Sequence, residues 1–327
     1  MDRKFQFLGF CGIFEEALNL TVSYRKIFSQ ITLSIILPLS LIILAQIEIS
    51  EYLFREIIHN RYALKHTQIG SQRYSKISDI LSSQWTTFWL FKISYFIFSL
   101  ILSLLSTSAV VYTIACIYTE KEIAYKKVMK VVPKVWKRLM VTFIWNSIIA
   151  FALIIVLVIG IILWVVTLGP SVIGITAAII FLLIYFSGLV YISFMWHLAG
   201  IVSVLEDVYG IQAMFKSKDL IKGNIGLCAV IFLLDKLCFI GIHLGFKASV
   251  VGGNSISGKI WYACLWFMLL SMLIHFALVI QTIIYFICKS YHHEHSDKSS
   301  LSDHLEVYGG DYVPLYSKDV QLEHSEV

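Results

Sequence analysis

The chain has 327 residues, of which 58% are hydrophobic and only 14% charged, with a formal net charge of +5. Globular proteins run at about 45 to 50% apolar and about 25% charged residues, so water is excluded as the main solvent. The apolar residues also come in unbroken runs longer than one face of a water-soluble helix requires.

The first 27 residues contain Glu15 and Glu16 and lack a compact apolar core, so they do not read as a cleaved signal peptide. Six runs follow, at about 28–47, 87–117, 139–166, 172–198, 225–246 and 261–288. Each approaches or exceeds the roughly 20 residues needed to cross about 30 Å of hydrocarbon at 1.5 Å per residue. None alternates with a period of two, and unpaired backbone is costly in lipid, so helices are expected rather than a barrel. The expected fold class is all-α integral membrane, with a six-helix transmembrane domain over 1–288 and a cytoplasmic, disordered tail over 289–327. Glycine and proline in Thr167-Leu168-Gly169-Pro170-Ser171 mark a tight reversal between the third and fourth helices.

Charge chooses the orientation. Lys121, Lys126, Lys127, Lys130, Lys134, Lys137 and Arg138 lie between the second and third runs, and Lys216, Lys218 and Lys222 between the fourth and fifth. The intervening connections carry fewer bases, so the positive-inside rule puts both termini in the cytoplasm of a secretory-pathway membrane, either the endoplasmic reticulum or the plasma membrane. The six cysteines fall in or beside the apolar runs and read as small core residues; Cys288, at a helix end, is also a candidate for palmitoylation.

The segments preceding the first, third and fifth runs share a polarity, with acids first and bases last. Glu15 and Glu16 lead to Arg25 and Lys26, Glu120 and Glu122 to Lys134 and Lys137, and Glu206 and Asp207 to Lys216, Lys218 and Lys222. Such an order suits a helix macrodipole. Within the second segment Val128, Val131, Val132, Val135, Trp136 and Leu139 recur at helical spacing, opposite Lys127, Lys130, Lys134 and Lys137. Val204, Val208, Ile211 and Phe215 repeat the pattern in the third segment, and Phe14, Leu18 and Val22 do so in the first. The chain therefore reads as three repeats of an interfacial amphipathic helix plus a helical hairpin. The stripe would sit at the acyl boundary while Lys126, Lys127, Lys130, Lys134 and Lys137 meet anionic lipid on the cytoplasmic face, each worth roughly 1 kcal/mol. Pro133 is expected to bend the second of these helices.

The stretch Ser203-Val204-Leu205-Glu206-Asp207-Val208-Tyr209-Gly210-Ile211-Gln212-Ala213-Met214, followed by Ser217, Leu220, Ile221, Lys222 and Gly223, resembles a plant family of uncharacterised polytopic membrane proteins. Some members carry the label polyadenylate-binding-protein-binding protein. The segments Ile27 to Leu33 and Tyr312 to Leu315 resemble the same family. More distantly, the glutamate, glycine, serine and basic end of the stretch are similar to bacterial membrane domains, some fused to glycerophosphodiester phosphodiesterases. No phosphodiesterase domain accompanies them here, so the resemblance implies an architecture without a chemistry.

Ionisable side chains inside a spanning helix cost at least roughly 2.5 to 3.5 kcal/mol and mark candidate sites. Lys92 stands near the start of the second run, within snorkelling reach of the surface. Asp235 and Lys236 stand in the middle of the fifth. Neighbours on a helix point about 100° apart, so these two are expected to form no good ion pair with each other, and at least one is expected to seek a partner on another helix. His243 lies on nearly the face of Lys236, which allows a polar pathway lined by Asp235, Lys236 and His243, with His197 or His275 as further members. The alternative is structural glue, in which Asp235 satisfies Asn146, Ser147 or a tyrosine across the bundle.

The tail offers Tyr291-His292-His293-Glu294-His295 as a weak metal ligand set, and Tyr312 with Leu315 as a sorting signal. No enzyme signature, cofactor motif or nucleic-acid-binding pattern stands in the chain. The leading expectation is a non-enzymatic protein that organises membrane or recruits a cytosolic partner through its tail. The alternative is a transporter or channel using the fifth helix.

Overall fold

A computed structural model describes residues 9–291 apart from 69, 122, 168, 170 and 254. The tail motifs at His292 to His295 and at Tyr312 and Leu315 lie outside the described residues. Every regular element among the described residues is a helix: α1 (Phe10–Ser23), α2 (Arg25–Ile31), α3 (Leu37–Lys65), α4 (Gln72–Tyr118), α5 (Tyr125–Thr167), α6 (Val172–Leu205), α7 (Ile211–Ile221), α8 (Ile225–Phe246) and α9 (Ile256–Tyr291). A π-helical segment, Thr32–Ile36, joins α2 to α3, and a second, Lys247–Val251, extends α8. Among the described residues six continuous helical stretches are long and apolar enough to cross a membrane, and each contains one of the apolar runs.

The helices outrun those segments. The polar stretch after Ile47 continues α3 to Lys65, and α4 begins at Gln72, so what the composition suggests is a loop is a helical hairpin. Local pairs explain it: Glu51 and Arg55 meet at 3.5 Å one turn apart on α3. Between the two helices Asn60 Nδ2 donates to Gln84 Oε1 at 2.9 Å, and Ile57 is fully buried. Lys247 Nζ reaches Glu51 at 2.8 Å and ties the π segment after α8 to this hairpin. Lys92 lies 5.4 Å from the centre of the Phe88 ring.

The α5–α6 reversal follows the glycine and serine signals. Gly169 has φ +53°, and the Ser171 side chain caps α6 by accepting from the Gly174 N–H at 3.0 Å.

The repeat differs in its middle unit. Residues 125–139 form no separate interfacial helix but the first turns of α5, which runs on through Pro133. Val128, Val131, Val132, Val135 and Leu139 are buried in the main core with Ile13, Ala17, Ile114 and Ile283, so this stripe faces protein and not the acyl boundary. Periodicity identifies an apolar face without naming its partner. The outer units do have separate short helices, but each buries a stripe other than the one expected. α1 buries Ile13, Ala17 and Leu20 and leaves Leu18 and Val22 exposed; α7 buries Ala213, Met214, Leu220 and Ile221 and leaves Phe215 exposed.

Candidate functional site

Two groups of buried polar side chains sit close together along α9, and they behave oppositely. Gln281, Tyr285 and Lys289 recur every four residues and so share one face of that helix.

At the outer end of this face stands a closed ionic cluster. The α6 cap, Glu206, receives the Tyr285 hydroxyl at 2.5 Å and the Lys289 ammonium at 3.0 Å on Oε1, while Lys216 of α7 meets Oε2 at 2.7 Å. Tyr285 is fully buried and Glu206 nearly so. Burial pulls the Glu206 carboxyl upward, but the nearby Lys289 charge and the hydrogen bonds from Lys216, Tyr285 and Lys289 outweigh it and hold the group below its ordinary value. Beside this cluster, Thr142 of α5 bonds Ser203 of α6 at 2.7 Å and accepts the Gly210 N–H at 2.8 Å. Gly210 has φ +67°, and a Cβ there would press on the Trp145 ring. Ser217 donates to the Met195 carbonyl at 3.1 Å, fastening α7 under α6. The motif from Ser203 to Ser217 is thus a corner in which each named residue has a mechanical reason. Arg138 and Asp207 complete it with a pair at 2.7 Å.

One turn inward on α9 the arrangement opens. Five helices, α4, α5, α6, α8 and α9, surround a cavity of about 530 Å³. Its polar wall is Asn146, His197, Asp235, Lys236 and Gln281; Phe143, Phe239, Leu273, Ile274 and Leu278 are on the apolar wall. On α6, α8 and α9 these polar groups stand about 12 to 15 Å in from the nearest helix end at 1.5 Å per residue. Asn146 Oδ1 and Trp196 Nε1, both on this wall, are buried without a hydrogen-bond partner in the protein. Each such group costs about 1 to 3 kcal/mol, so an acceptor and a donor are both held ready at the same cavity.

The sequence picked out part of this wall. Asp235 and Lys236 are on it, 3.6 Å apart between Oδ2 and Nζ. The long lysine chain bends back across the 100° between them, although 3.6 Å is beyond a good hydrogen bond. His243 is not on the wall: seven residues further along, it shares the azimuth of Lys236 but lies about 10 Å away along the axis. His275 is elsewhere too, bonded to Thr32 at 3.2 Å on Nδ1 and to Thr21 at 3.4 Å on Nε2. His197 does join the cavity, stacked on Phe232 with ring centres 5.4 Å apart. Gln281 and Trp196 carried no sequence signal, because uncharged polar residues in an apolar run are common.

Lys126, Lys127, Lys130, Lys134 and Lys137 are all exposed along the first turns of α5. Cys288 is completely buried with its sulfur 4.0 Å from that of Cys228, which removes it as an acylation site. Among the described residues no group of three His, Cys, Asp or Glu side chains is placed to hold a metal ion.

A family model described as a domain of unknown function, DUF8558, matches residues 1–325. The chain belongs to the DUF8558 family. No curated protein and no solved structure matches it. In this DUF8558 chain the cavity and the Glu206 corner are therefore read from their own chemistry.

Proposed function

We propose that this DUF8558 protein is an integral membrane transporter that takes an amphipathic zwitterion into the five-helix cavity. The observation that carries the reading is the pair of unpartnered buried atoms, Asn146 Oδ1 and Trp196 Nε1, on a wall that also presents Asp235 and Lys236. One charge of each sign suits a zwitterionic head, and the apolar wall of Phe143, Phe239 and Leu273 suits the start of a chain. A volume of about 530 Å³ lies within the usual range for ligand sites, about 300 to 1,000 Å³. Ionisable groups at this depth are conserved for solute pathways in membrane proteins often enough to make transport the natural class. The role is non-enzymatic, in a secretory-pathway membrane, with both termini cytoplasmic.

The test is flux in proteoliposomes with a fluorescent lysophosphatidylcholine as probe. Asp235→Asn and the cavity-filling Ala277→Phe should each cut flux at least tenfold. If both leave it unchanged, transport through this cavity is wrong.

A second reading, membrane organisation with recruitment of a cytosolic partner, is favoured by the exposed row from Lys126 to Lys137. It predicts binding to anionic liposomes that weakens as salt rises, with partner capture lost on removing residues 292–327.

A further inference from the structure

At the end of the bundle that carries α1, the end of α4 and the start of α5 there is a second, larger recess, of about 940 Å³. Among the described residues it is lined by Arg25 and Lys26 at the start of α2, Lys121 in the α4–α5 connection and Lys126 in the first turn of α5, with Glu120 as the one carboxylate. Gln30 and Tyr24 add neutral hydrogen-bonding groups to the same wall. We propose that this recess is a binding site for a polyphosphorylated headgroup, that is, an anion carrying at least two phosphomonoesters.

Three observations converge. Arg25, Lys26 and Lys126 are exposed and Lys121 is half-buried, so their heads can turn toward a guest without breaking a core. They come from three separate segments, which makes the concentration of charge a product of folding rather than a run in the sequence. The N-terminus of α5, a helix of 43 residues, opens onto the recess through Ala124, Tyr125 and Lys126, and its macrodipole favours an anion there. The backbone N–H groups of Lys127 and Val128 bond the Ala124 carbonyl in that first turn.

Size and charge then select the guest. A serine or glycerol headgroup carries about one negative charge and fills a small part of 940 Å³. Four cations drawn to one recess ask for more charge, and an inositol ring with several phosphates supplies it in one compact body. Such a body reaches the recess either as the head of a membrane lipid or as a free inositol polyphosphate. This site is separate from the five-helix cavity, shares no lining residue with it, and stands whether or not the transport reading does.

The experiment uses the full chain in nanodiscs. Native mass spectrometry would count retained lipid in discs containing phosphatidylinositol 4,5-bisphosphate, and in discs of phosphatidylserine raised to the same surface charge. The expected result is one bisphosphate lipid retained per chain and no comparable retention of phosphatidylserine. Lys26→Gln with Lys121→Gln should lower retention at least tenfold. Lys130→Gln with Lys134→Gln, which removes the same charge from the open face of α5, should lower it less than twofold. Inositol hexakisphosphate added to wild-type protein, both in the bisphosphate discs and in neutral discs, separates the sources. Displacement of the lipid assigns the site to either form, and binding of the soluble anion without lipid retention assigns it to the free anion. Equal retention of phosphatidylserine at matched charge, or equal losses from the two double variants, would overturn the proposal. So would failure of both lipid and soluble anion to bind the wild-type chain, a result that does not depend on any variant folding.

Discussion

Glu206 and Asn146 are both polar groups inside the same bundle, within a few turns of one another, yet their surroundings differ completely. Glu206 has two ammonium groups and a phenol closed around its two oxygens. Asn146 has a carbonyl oxygen buried with nothing bonded to it, and Trp196 nearby has an equally idle N–H. A polar group whose partners all come from the protein has been spent on holding helices together. One left without a partner, on the wall of a 530 Å³ cavity, costs stability and so points to a ligand.

The contrast is broken most severely at Glu206. Replacing it with alanine leaves Lys216, Lys289 and Tyr285 without their common acceptor, and removing one partner of a buried pair costs about 3 to 5 kcal/mol. Thermal unfolding of Glu206→Ala in detergent should show a loss of that order; a change under about 1 kcal/mol would make the cluster incidental. Acid should act in the same direction. Because the folded carboxyl sits below its ordinary value of 4.5, its stabilisation is complete above that pH. It fades as the pH falls through the lower folded-state value, and Glu206→Gln should flatten the acid limb of the melting profile.

Thr142→Val is the next largest. It leaves the Gly210 N–H and the Ser203 hydroxyl short of a partner while preserving shape, for about 1 to 3 kcal/mol by chemical denaturation. At the cavity the expected sign reverses. Asn146→Leu removes an unpaired polar atom, so the melting temperature should hold or rise while probe flux falls at least tenfold. A variant that unfolds instead would show that Asn146 belongs with Glu206. The smallest effect is at the surface: Lys130→Gln with Lys134→Gln should change stability by no more than about 0.5 kcal/mol and register only as weaker, less salt-sensitive liposome binding.

Legibility in the sequence followed the physics of each feature. A run such as 172–198 admits one solution, because a long apolar segment must satisfy its backbone internally. The charged stretch from Glu51 to Lys65 hides its helix in the sequence because its helical support is a pairwise matter, Glu51 with Arg55 and Asn60 with Gln84, that composition does not display. The stripe from Val128 to Leu139 announced a helix face, and folding supplied protein rather than lipid to cover it. Asp235 and Lys236 stood out because charge in an apolar run is expensive, whereas Gln281 and Trp196 did not, since neither carries a charge.

The sequence by itself therefore determined the number of long apolar helices, the α5–α6 reversal and the two most conspicuous ionisable residues. Each of these depends on residues close together in the chain. Which face of each helix meets which other was decided only by tertiary structure. That choice separated His197 from His243, gathered Glu206 with Lys216 and Lys289, and brought Lys26 and Lys121 to one recess. The physical reason is range: hydrophobic length and turn chemistry act over a few residues, while a site depends on contacts between segments that the chain order keeps far apart.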